Sequence, residues 1–329
     1  TNSATSALHI SCLALGLSEG DVLWTSPNSY VASANVGLLC NAEVDFVDID
    51  SETYNMCSTA LSMKLRDAEK NGKLPKIVMP VHFAGQSCDM INIKKLSEKY
   101  GFKIIEDASH AIGGVYKNTK IGSCKFSDIT VFSFHPVKII TTAEGGCATT
   151  NDENIFEKLK LLSSHGVTRN PKNMVKKTSD KWVYDQISIG FNYRMSDLNA
   201  ALGLSQLLRI DSFINKRNKI AKKYFQQLKN LDLKLPKQED YNSSALHLFP
   251  IQVNNRKKIY NLLHRNDIKV NVHYRPIHTQ PFWQNRGFKF GLFPNSELYY
   301  SKAISLPIFY DLNDEMQDCV INVLQKSCL

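Results

Sequence analysis

The chain has 329 residues, of which 43% are hydrophobic and 22% are charged. This balance is typical of a globular protein and excludes extended disorder, and the length exceeds one average domain. No apolar run approaches the ~20 residues of a membrane-spanning helix, and no basic stripe is interleaved with stacking aromatic residues. We therefore expect neither a membrane nor a nucleic acid as partner. The net charge of +9 is interpreted as solvated surface, or alternatively as attraction for an anionic substrate such as a nucleotide diphosphate.

The eight cysteines form no C-x-x-C pair and follow no regular spacing. Because most of them lie in apolar stretches, we interpret them as reduced core thiols of a cytoplasmic protein. The chain contains no H-E-x-x-H, G-x-G-x-x-G or G-x-x-x-x-G-K-[ST] pattern. We therefore expect no metal site and no phosphate loop of those kinds.

Up to about residue 210, short β-rich runs alternate with helical patterns. This alternation predicts a large α/β domain over residues 1–210, with a mostly parallel sheet covered by helices on both faces. The predicted strands are 22–25, 43–48, 76–81, 103–106, 129–134 and 146–150, and helices are predicted at 29–39, 59–69 and 92–100. Ligands of such sheets bind beyond the carboxyl ends of the strands.

The remainder of the chain predicts a smaller C-terminal α+β domain over residues 211–329. A long amphipathic helix begins near Ser196, which can serve as its N-cap, and is expected to break near Asp211. After a polar stretch at 235–244, strands are predicted at 246–253 and 268–274. Further helices are predicted at 256–265, 296–303 and 314–326.

Two residues at predicted strand ends carry the chemistry of the chain. Lys138 follows the strand 129–134 and a Ser-Phe-His-Pro turn, and Asp107 ends an apolar run. The lysine amine can form a Schiff base with an aldehyde, and the carboxylate can keep a pyridine nitrogen protonated so that the ring accepts electrons from a carbanion. This pair predicts an enzyme that uses pyridoxal 5′-phosphate (PLP). The alternative for Asp107 is a helix N-cap.

The start of the chain offers a place for the cofactor phosphate. Thr5, Ser6 and Ala7 lie where an apolar helix pattern begins, and small residues there leave backbone N–H groups that bind phosphate. Ser133, on the strand that leads to Lys138, can add a hydroxyl. Without Lys138 nearby, the first segment would be interpreted only as a capped helix.

Other polar and aromatic residues are candidates with simpler alternatives. Tyr30 can stack on a flat cofactor ring, and His110 would lie one turn beyond Asp107, near the ring or its 3-oxygen. Both are otherwise core residues. Asn192 and Arg194, just ahead of the long helix, can reach an anion or merely close a turn.

Ordered motifs up to about residue 285 resemble the DegT/DnrJ/EryC1/StrS sugar aminotransferases, which are PLP enzymes of fold type I. The motifs are Thr-Ser-Ala-Leu-His from residue 5, Phe-Val-Asp-Ile-Asp from 46, Pro-Val-His-Phe-Ala-Gly-Gln from 80, Glu-Asp-Ala-Ser-His-Ala from 106, Ser-Phe-His-Pro-Val-Lys from 133, Thr-Thr-Ala-Glu-Gly-Gly from 141, Gly-Phe-Asn-Tyr-Arg-Met from 190 and Val-His-Tyr from 272. The resemblance implies an aspartate aminotransferase-like fold with a large PLP-binding domain.

The resemblance also implies a role for each matching residue. Lys138 would hold PLP as a Schiff base, and Asp107 would pair with the pyridine nitrogen. Tyr30 would take the stacking position. The implied phosphate-binding residues are Thr5, Ser6, Ala7 and Ser133.

Two further segments are implied to act on the substrate or across subunits. Asn192 and Arg194 match a segment that enters the partner subunit's site, so a homodimer with shared active sites is expected. A second segment matches a loop that touches the nucleotide sugar. Its candidate residues are His273, Tyr274, Arg275 and His278.

Two of the motifs, those that begin at residues 133 and 141, are similar to one branch of the family. That branch moves an amino group from L-glutamate to C4 of a UDP-linked 4-keto-6-deoxy-N-acetylhexosamine in pseudaminic acid biosynthesis. One alternative is the D-configured isomer of the keto sugar, and another is a non-catalytic sugar-binding relative. Related dehydratases carry histidine in place of the lysine, so Lys138 argues against that reaction.

The sequence departs from the family pattern in two places. Members usually have a few tens of residues before the phosphate turn that help to shape the substrate site, so we expect part of the sugar pocket to be missing from this sequence. The stretch 168–185 is long and lysine-rich. It is predicted to be a mobile loop near the site.

Overall fold

The computed structural model describes residues 1–175 and 180–327. Its strands are β1 (Val22–Thr25), β2 (Glu43–Phe46), β3 (Ile77–Met79), β4 (Lys103–Asp107), β5 (Val115–Tyr116), β6 (Thr119–Lys120), β7 (Ile129–Ser133), β8 (Gly146–Thr149), β9 (Val167–Thr168), β10 (Asp185–Gln186), β11 (Leu233–Lys234), β12 (Asn242–Ser243), β13 (Phe249–Val253) and β14 (Ala303–Leu306). Its helices are α1 (Ala4–Ala14), α2 (Ala32–Leu39), α3 (Ser58–Lys70), α4 (Met90–Tyr100), α5 (Glu153–Ser163), α6 (Asp197–Leu207), α7 (Ile210–Leu228), α8 (Arg256–Arg265), α9 (Pro281–Gln284), α10 (Pro294–Lys302) and α11 (Asp314–Gln325).

The central sheet has the strand order β2-β1-β3-β4-β7-β8. Neighbouring strands from β2 to β7 run parallel, whereas β8 runs antiparallel to β7. A sheet of this kind needs strands that are apolar on both faces, and every residue of β7 is buried. The predicted α/β fold with a mostly parallel sheet is confirmed.

Helices cover both faces of this sheet. Successive residues of a strand point to opposite faces, so neighbouring residues contact different helices. Ile105 belongs to a core cluster that includes residues of α1, α2 and α5. Its neighbour Ile104 belongs to a second cluster that includes residues of α3 and α4. The two clusters fix β4 between them, and its last residue, Asp107, is thereby held at the carboxyl edge.

A second, smaller sheet with the order β11-β13-β14 carries its own core. Tyr224 of α7, Leu263 of α8 and Leu324 of α11 pack in that core with residues of β13 and β14. The chain then returns to the large core, where Ile277 and Trp283 are buried. The domain boundary at residue 210 stays a prediction. The predicted helix break falls between Leu207 and Ile210.

The predicted strand at 268–274 is wrong. Only Asn271 makes a bridge to the small sheet, opposite Ser305. β14 takes the place beside β13, where no strand was predicted; its first residue, Ala303, was predicted to end a helix. Ile268 and Val270 are buried, so this segment packs on the core without joining the sheet, and its next residues are free to approach the site.

The lysine-rich stretch at 168–185 lies partly outside the described residues, which omit 176–179. Its ends are held together, because β9 and β10 pair as antiparallel strands with Thr168 opposite Asp185. The mobility of this stretch stays a prediction.

The sequence predicted reduced cysteines and no membrane-spanning helix. Cysteines 12, 40, 57, 88, 124, 147 and 319 are free thiols, and Cys328 lies outside the described part of the chain. Across residues 1–175 and 180–327, no helix combines the length and the apolar character needed to cross a bilayer.

Candidate active site

A cavity of about 300 Å³ lies at the carboxyl edge of the central sheet. Its walls come from the start of α1, the ends of β4 and β7, and the loop that follows residue 272. Residues far apart in the chain therefore meet here. The predicted site residues that line the cavity are Thr5, Tyr30, Asp107, His110, Ser133, Lys138 and Tyr274.

Asp107 presents a buried carboxylate to this cavity, with 4% of its surface exposed. Its Oδ2 accepts a hydrogen bond from Ser33 Oγ at 2.7 Å, and its Oδ1 accepts from Ser109 Oγ at 2.6 Å and from Ser109 N at 3.1 Å. These donors are neutral, so they orient the carboxylate without balancing its charge, and a nearby cation would offset the cost of burial.

Lys138 brings an amine to the same cavity. The turn before it is closed by a hydrogen bond from Lys138 N to His135 O at 2.9 Å. Burial lowers the pKa of Lys138 from 10.5 to about 8, although the charge of Asp107 acts in the opposite direction. An amine with this pKa is neutral in a useful fraction of molecules near pH 7.5, and the neutral amine is the form that attacks an aldehyde.

The first turn of α1 and the end of β7 line the same cavity through Thr5 and Ser133. β8 packs very close to this turn, since a Cβ on Gly146 would lie 2.6 Å from Ala4 N. Helix N-termini and hydroxyls favour anions, so this wall suits a phosphate. Ser6 and Ala7 are buried and do not line the cavity, and Ser3 Oγ, the N-cap, accepts the Ser6 N–H.

His110 and Tyr274 form a hydrogen-bonded pair, with 3.1 Å between His110 Nε2 and Tyr274 Oη. His110 Nδ1 accepts the N–H of Ala84 at 3.3 Å, which places the ring proton of the neutral imidazole on Nε2. Burial, followed by the charge of Lys138, holds the pKa of His110 well below its usual range. Since Nε2 donates to Tyr274, the tyrosine hydroxyl can give its own proton to an acceptor in the cavity.

Tyr30 also lines the cavity. Its side chain is 63% exposed, and its ring centre lies 6.5 Å from that of Tyr274. Burial raises the pKa of Tyr274, so the hydroxyl of Tyr274 keeps its proton at neutral pH. An exposed aromatic ring at the mouth of a cavity is suited to stacking on a flat ligand.

The structure places the other predicted substrate residues outside the cavity walls of this chain. Asn192 and Arg194 are exposed, and Arg194 donates to Asn192 Oδ1 at 2.9 Å and to Ser164 Oγ at 3.1 Å. His273 Nδ1 lies 2.9 Å from Ser305 Oγ, and burial lowers the pKa of His273 to about 4.

Arg275 and His278 make contacts within their own loop and the large core. Arg275 donates to the backbone oxygen of Thr279 at 2.6 Å. His278 is completely buried, with Nε2 at 2.9 Å from Glu297 Oε1 and its ring against Phe293. Of the loop that begins at His273, only Tyr274 reaches the cavity.

Sequence reasoning missed the two serines that hold Asp107. Ser33 lies four residues after Ser29, and their hydroxyls are 2.8 Å apart, so this spacing within the predicted helix 29–39 could have indicated a shared role. Ser109 stands two residues after the aspartate, which is the spacing of an Asx turn. Both signals are visible in the sequence, but they become specific only beside a cavity.

Known proteins resemble this chain in fold and in sequence over nearly its full length. The sequence model of the DegT/DnrJ/EryC1/StrS aminotransferase family matches residues 1–325. The UDP-4-amino-4,6-dideoxy-N-acetyl-beta-L-altrosamine transaminase of Campylobacter jejuni serotype O:2 is 37% identical over 99% of this chain and 85% of its own length.

Solved structures agree with this relationship. PseC from Helicobacter pylori, an aminotransferase involved in the biosynthesis of pseudoaminic acid, is 33% identical with a TM-score of 0.88, over 99% of this chain and 85% of its own. Spr1654 from Streptococcus pneumoniae, solved in a PLP form, is 29% identical with a TM-score of 0.87, over 99% and 86% of the two chains. The predicted family, fold type, enzyme class and cofactor are confirmed: the chain belongs to the DegT/DnrJ/EryC1/StrS aminotransferase family and is a PLP-dependent sugar aminotransferase.

Proposed function

We propose that this enzyme transfers an amino group from L-glutamate to C4 of a UDP-linked 4-keto-6-deoxy-N-acetylhexosamine, in pseudaminic acid biosynthesis. The observation that carries the proposal is that Lys138, Asp107 and Ser133 line one cavity, with a relative of related activity in Campylobacter. The D-configured keto sugar is the alternative substrate. A cytoplasmic location stays a prediction.

The residues of the cavity fit PLP in type and number. Lys138 would hold its aldehyde, Asp107 its pyridine nitrogen, and Thr5 and Ser133 its phosphate. When bound, PLP supplies an electron sink that stabilises negative charge at the carbon that loses a proton. A lone buried carboxylate beside neutral donors is suited to a protonated ring nitrogen, because the two charges offset each other's burial.

Lys138 would also move the proton. Burial lowers the pKa of its free Nζ to about 8, which suits a general base near neutral pH. It would accept the proton from Cα of glutamate and, in the second half-reaction, return a proton by the reverse route. Tyr274, oriented by His110, would donate a hydrogen bond to an oxygen in the cavity.

Covalent trapping tests the role of Lys138. The protein is incubated with PLP and reduced with borohydride, and the modified peptide is identified by mass spectrometry. We expect a fixed chromophore on Lys138 and its loss in Lys138→Ala. Lys64 is a matched control, since burial also lowers its pKa but it lies outside the cavity. Labelling that persists in Lys138→Ala, or transamination by that variant, would refute the assignment.

Turnover assays test the substrate. UDP-linked 4-keto sugars of both configurations are supplied with L-glutamate, and 2-oxoglutarate is measured. We expect a higher kcat/KM with the L-configured sugar. Preference for the other isomer would establish the alternative substrate. A protein that binds the sugars without turnover would instead be a sugar-binding relative.

We also propose that two copies of the chain form a homodimer with shared active sites. Helix α6 has no buried residue, and its surface includes exposed leucines, with Leu198 86% exposed and Leu204 67% exposed. A helix face of this kind is a candidate contact surface. Asn192 and Arg194 lie just before it and are exposed, so they would reach the partner's cavity.

Mixing two inactive variants tests the shared site. If Arg194 acts across the interface, a mixed dimer of Lys138→Ala and Arg194→Ala contains one site with both residues intact. Statistical mixing would then restore roughly a quarter of wild-type activity. If Arg194 acts within its own subunit, every site lacks one residue, and the mixture would stay inactive. A monomer in sedimentation would also contradict the proposal.

A further inference from the structure

A segment of the chain that the mechanism does not use crosses directly behind the cavity. Ala245 N donates to Gly85 O at 3.0 Å, and Leu248 N donates to Ala84 O at 3.3 Å. The approach is tight, because a Cβ on Gly85 would lie 2.7 Å from Leu246 N. Ala84 is the residue whose N–H binds His110 Nδ1, so this crossing segment, residues 245–248, holds the donor that sets the tautomer of His110.

His247 on the crossing segment packs directly on His110, with 4.5 Å between the ring centres. It is 6% exposed, and within the described part of the chain its Nδ1 has no hydrogen-bond partner. Burial, followed by the charges of Lys138, Arg217 and His273, holds the pKa of His247 well below its usual range. The ring is therefore neutral and acts on His110 by contact.

Arg217 of α7 anchors the crossing segment from the other side. It is 6% exposed, and its Nη1 donates to the carbonyl oxygens of Leu246 and His247, both at 3.2 Å, and of Ile308 at 2.8 Å. A buried cation whose acceptors are carbonyls is costly to place. In this position it fixes the crossing segment, including Leu246, whose φ of 49° is in the left-handed region.

We propose that Arg217 and His247 are positioning residues, which hold His110 so that its Nε2–H points at Tyr274 and directs the tyrosine hydroxyl into the cavity. Neither residue lines the cavity. The chain of contacts runs from Arg217 through His247 and His110 to Tyr274. The effect on turnover rests on the proposed function, whereas the effect on His110 does not.

The first experiment reads the tautomer of His110 directly. The protein is labelled with ¹⁵N-histidine and studied without PLP by long-range ¹H–¹⁵N NMR between pH 8 and 5.5, with His110→Gln to assign the signal. Lys138, His247 and His273 are the titratable groups near His110, and His247 is neutral throughout this range because its pKa is held well below its usual value. In the wild type we expect the Nε2–H tautomer throughout this range.

Variants of His247 and Arg217 distinguish the effect of ring contact on His110 from the effect of charge. His247→Ala removes the ring and should give His110 a mixture of tautomers or a protonation midpoint inside the range. His247→Phe keeps a flat ring and should leave His110 as in the wild type. Arg217→Met should behave like His247→Ala, and Arg217→Lys replaces it if the methionine variant does not fold. His264→Ala is the matched control, since His264 is exposed and packs on Tyr260.

The second experiment uses the PLP-loaded enzyme. His247→Ala should lower kcat by roughly 10- to 100-fold with little change in KM, because a displaced donor acts on the reacting state rather than on substrate binding. An unchanged His110 signal in a folded His247→Ala would overturn the proposal, as would an altered signal in His264→Ala. An altered His110 signal in His247→Ala, together with a wild-type enzyme that does not transaminate the UDP-linked keto sugars, would refute the proposed function alone.

Discussion

Glu106 and Asp107 are adjacent on β4, yet their side chains lie on opposite faces of the sheet and in different environments. Glu106 accepts hydrogen bonds from His82 Nε2 at 2.6 Å, from Thr130 Oγ1 at 3.0 Å and from Ser127. Burial alone would raise the pKa of Glu106, but His82 and the two hydroxyls lower it. The hydrogen-bond donors that stabilise this buried carboxylate thus all come from the protein itself.

Among the described residues, the carboxylate of Asp107 accepts hydrogen bonds only from two serine hydroxyls and one backbone N–H, and it faces a cavity. Burial alone therefore does not distinguish a structural acid from a functional one. The difference lies in the partners: a carboxylate whose partners are all contributed by the fold stabilises that fold, whereas one with neutral partners beside a cavity is available to a ligand.

The largest effect is expected for Asp107→Asn. Loss of the charge opposite the ring nitrogen should lower kcat/KM on the order of 10²–10³-fold, because the electron sink is no longer held in its protonated form. The free energy of unfolding of the PLP-free protein should change little. A variant with near wild-type kcat/KM in the glutamate half-reaction would contradict the role of Asp107.

Glu106→Gln should show the opposite result. Breaking a buried hydrogen-bonded pair with His82 should lower the free energy of unfolding by about 3 kcal/mol, while the folded fraction keeps most of its activity. Urea unfolding measures this loss. Because the folded pKa of Glu106 is lowered, the advantage of the wild type should diminish as pH falls through the acid range in which glutamate protonates. A difference independent of pH would argue against an ionised Glu106.

A smaller effect is expected for His278→Phe, which tests whether His278 acts in the substrate site or only packs in the core. His278 is buried beside Glu297, so its loss should reduce stability by about 1–3 kcal/mol and leave the KM for the sugar unchanged. Tyr274→Phe is the matched comparison in the same loop, and it should reduce kcat. If His278→Phe instead raises the KM for the sugar and keeps full stability, His278 contributes to the substrate site.

The last prediction concerns the pH dependence of stability in the PLP-free protein. Folding lowers the pKa of Lys138 from 10.5 to about 8. Between these two pH values the unfolded chain binds a proton that the folded chain lacks, so the free energy of unfolding rises with pH across this window. Lys138→Met removes this slope. The variant should be more stable than the wild type at pH 7, by a margin that shrinks towards pH 10.5. A constant margin would show that Lys138 does not titrate in this window.

Much of the fold was predictable because strand and helix signals are local. The predicted and observed bounds of the helix Arg256–Arg265 coincide, and the strand beginning at Ile129 differs by one residue at its end. The segment 268–274 was mispredicted because its apolar residues pack on the core, and periodicity cannot distinguish such packing from a place in a sheet.

The sequence alone was enough to predict the sheet, the family motifs and the meeting of Lys138 and Asp107 at one edge of the sheet, because the carboxyl ends of parallel strands lie at the same edge. Only the tertiary structure decided that Tyr274 reaches the cavity while His278 enters the core, and that Arg217 and His247 lie behind His110. Whether a residue lines a cavity depends on how segments that are distant in the chain pack against each other. The residue type and spacing of one segment do not contain that information.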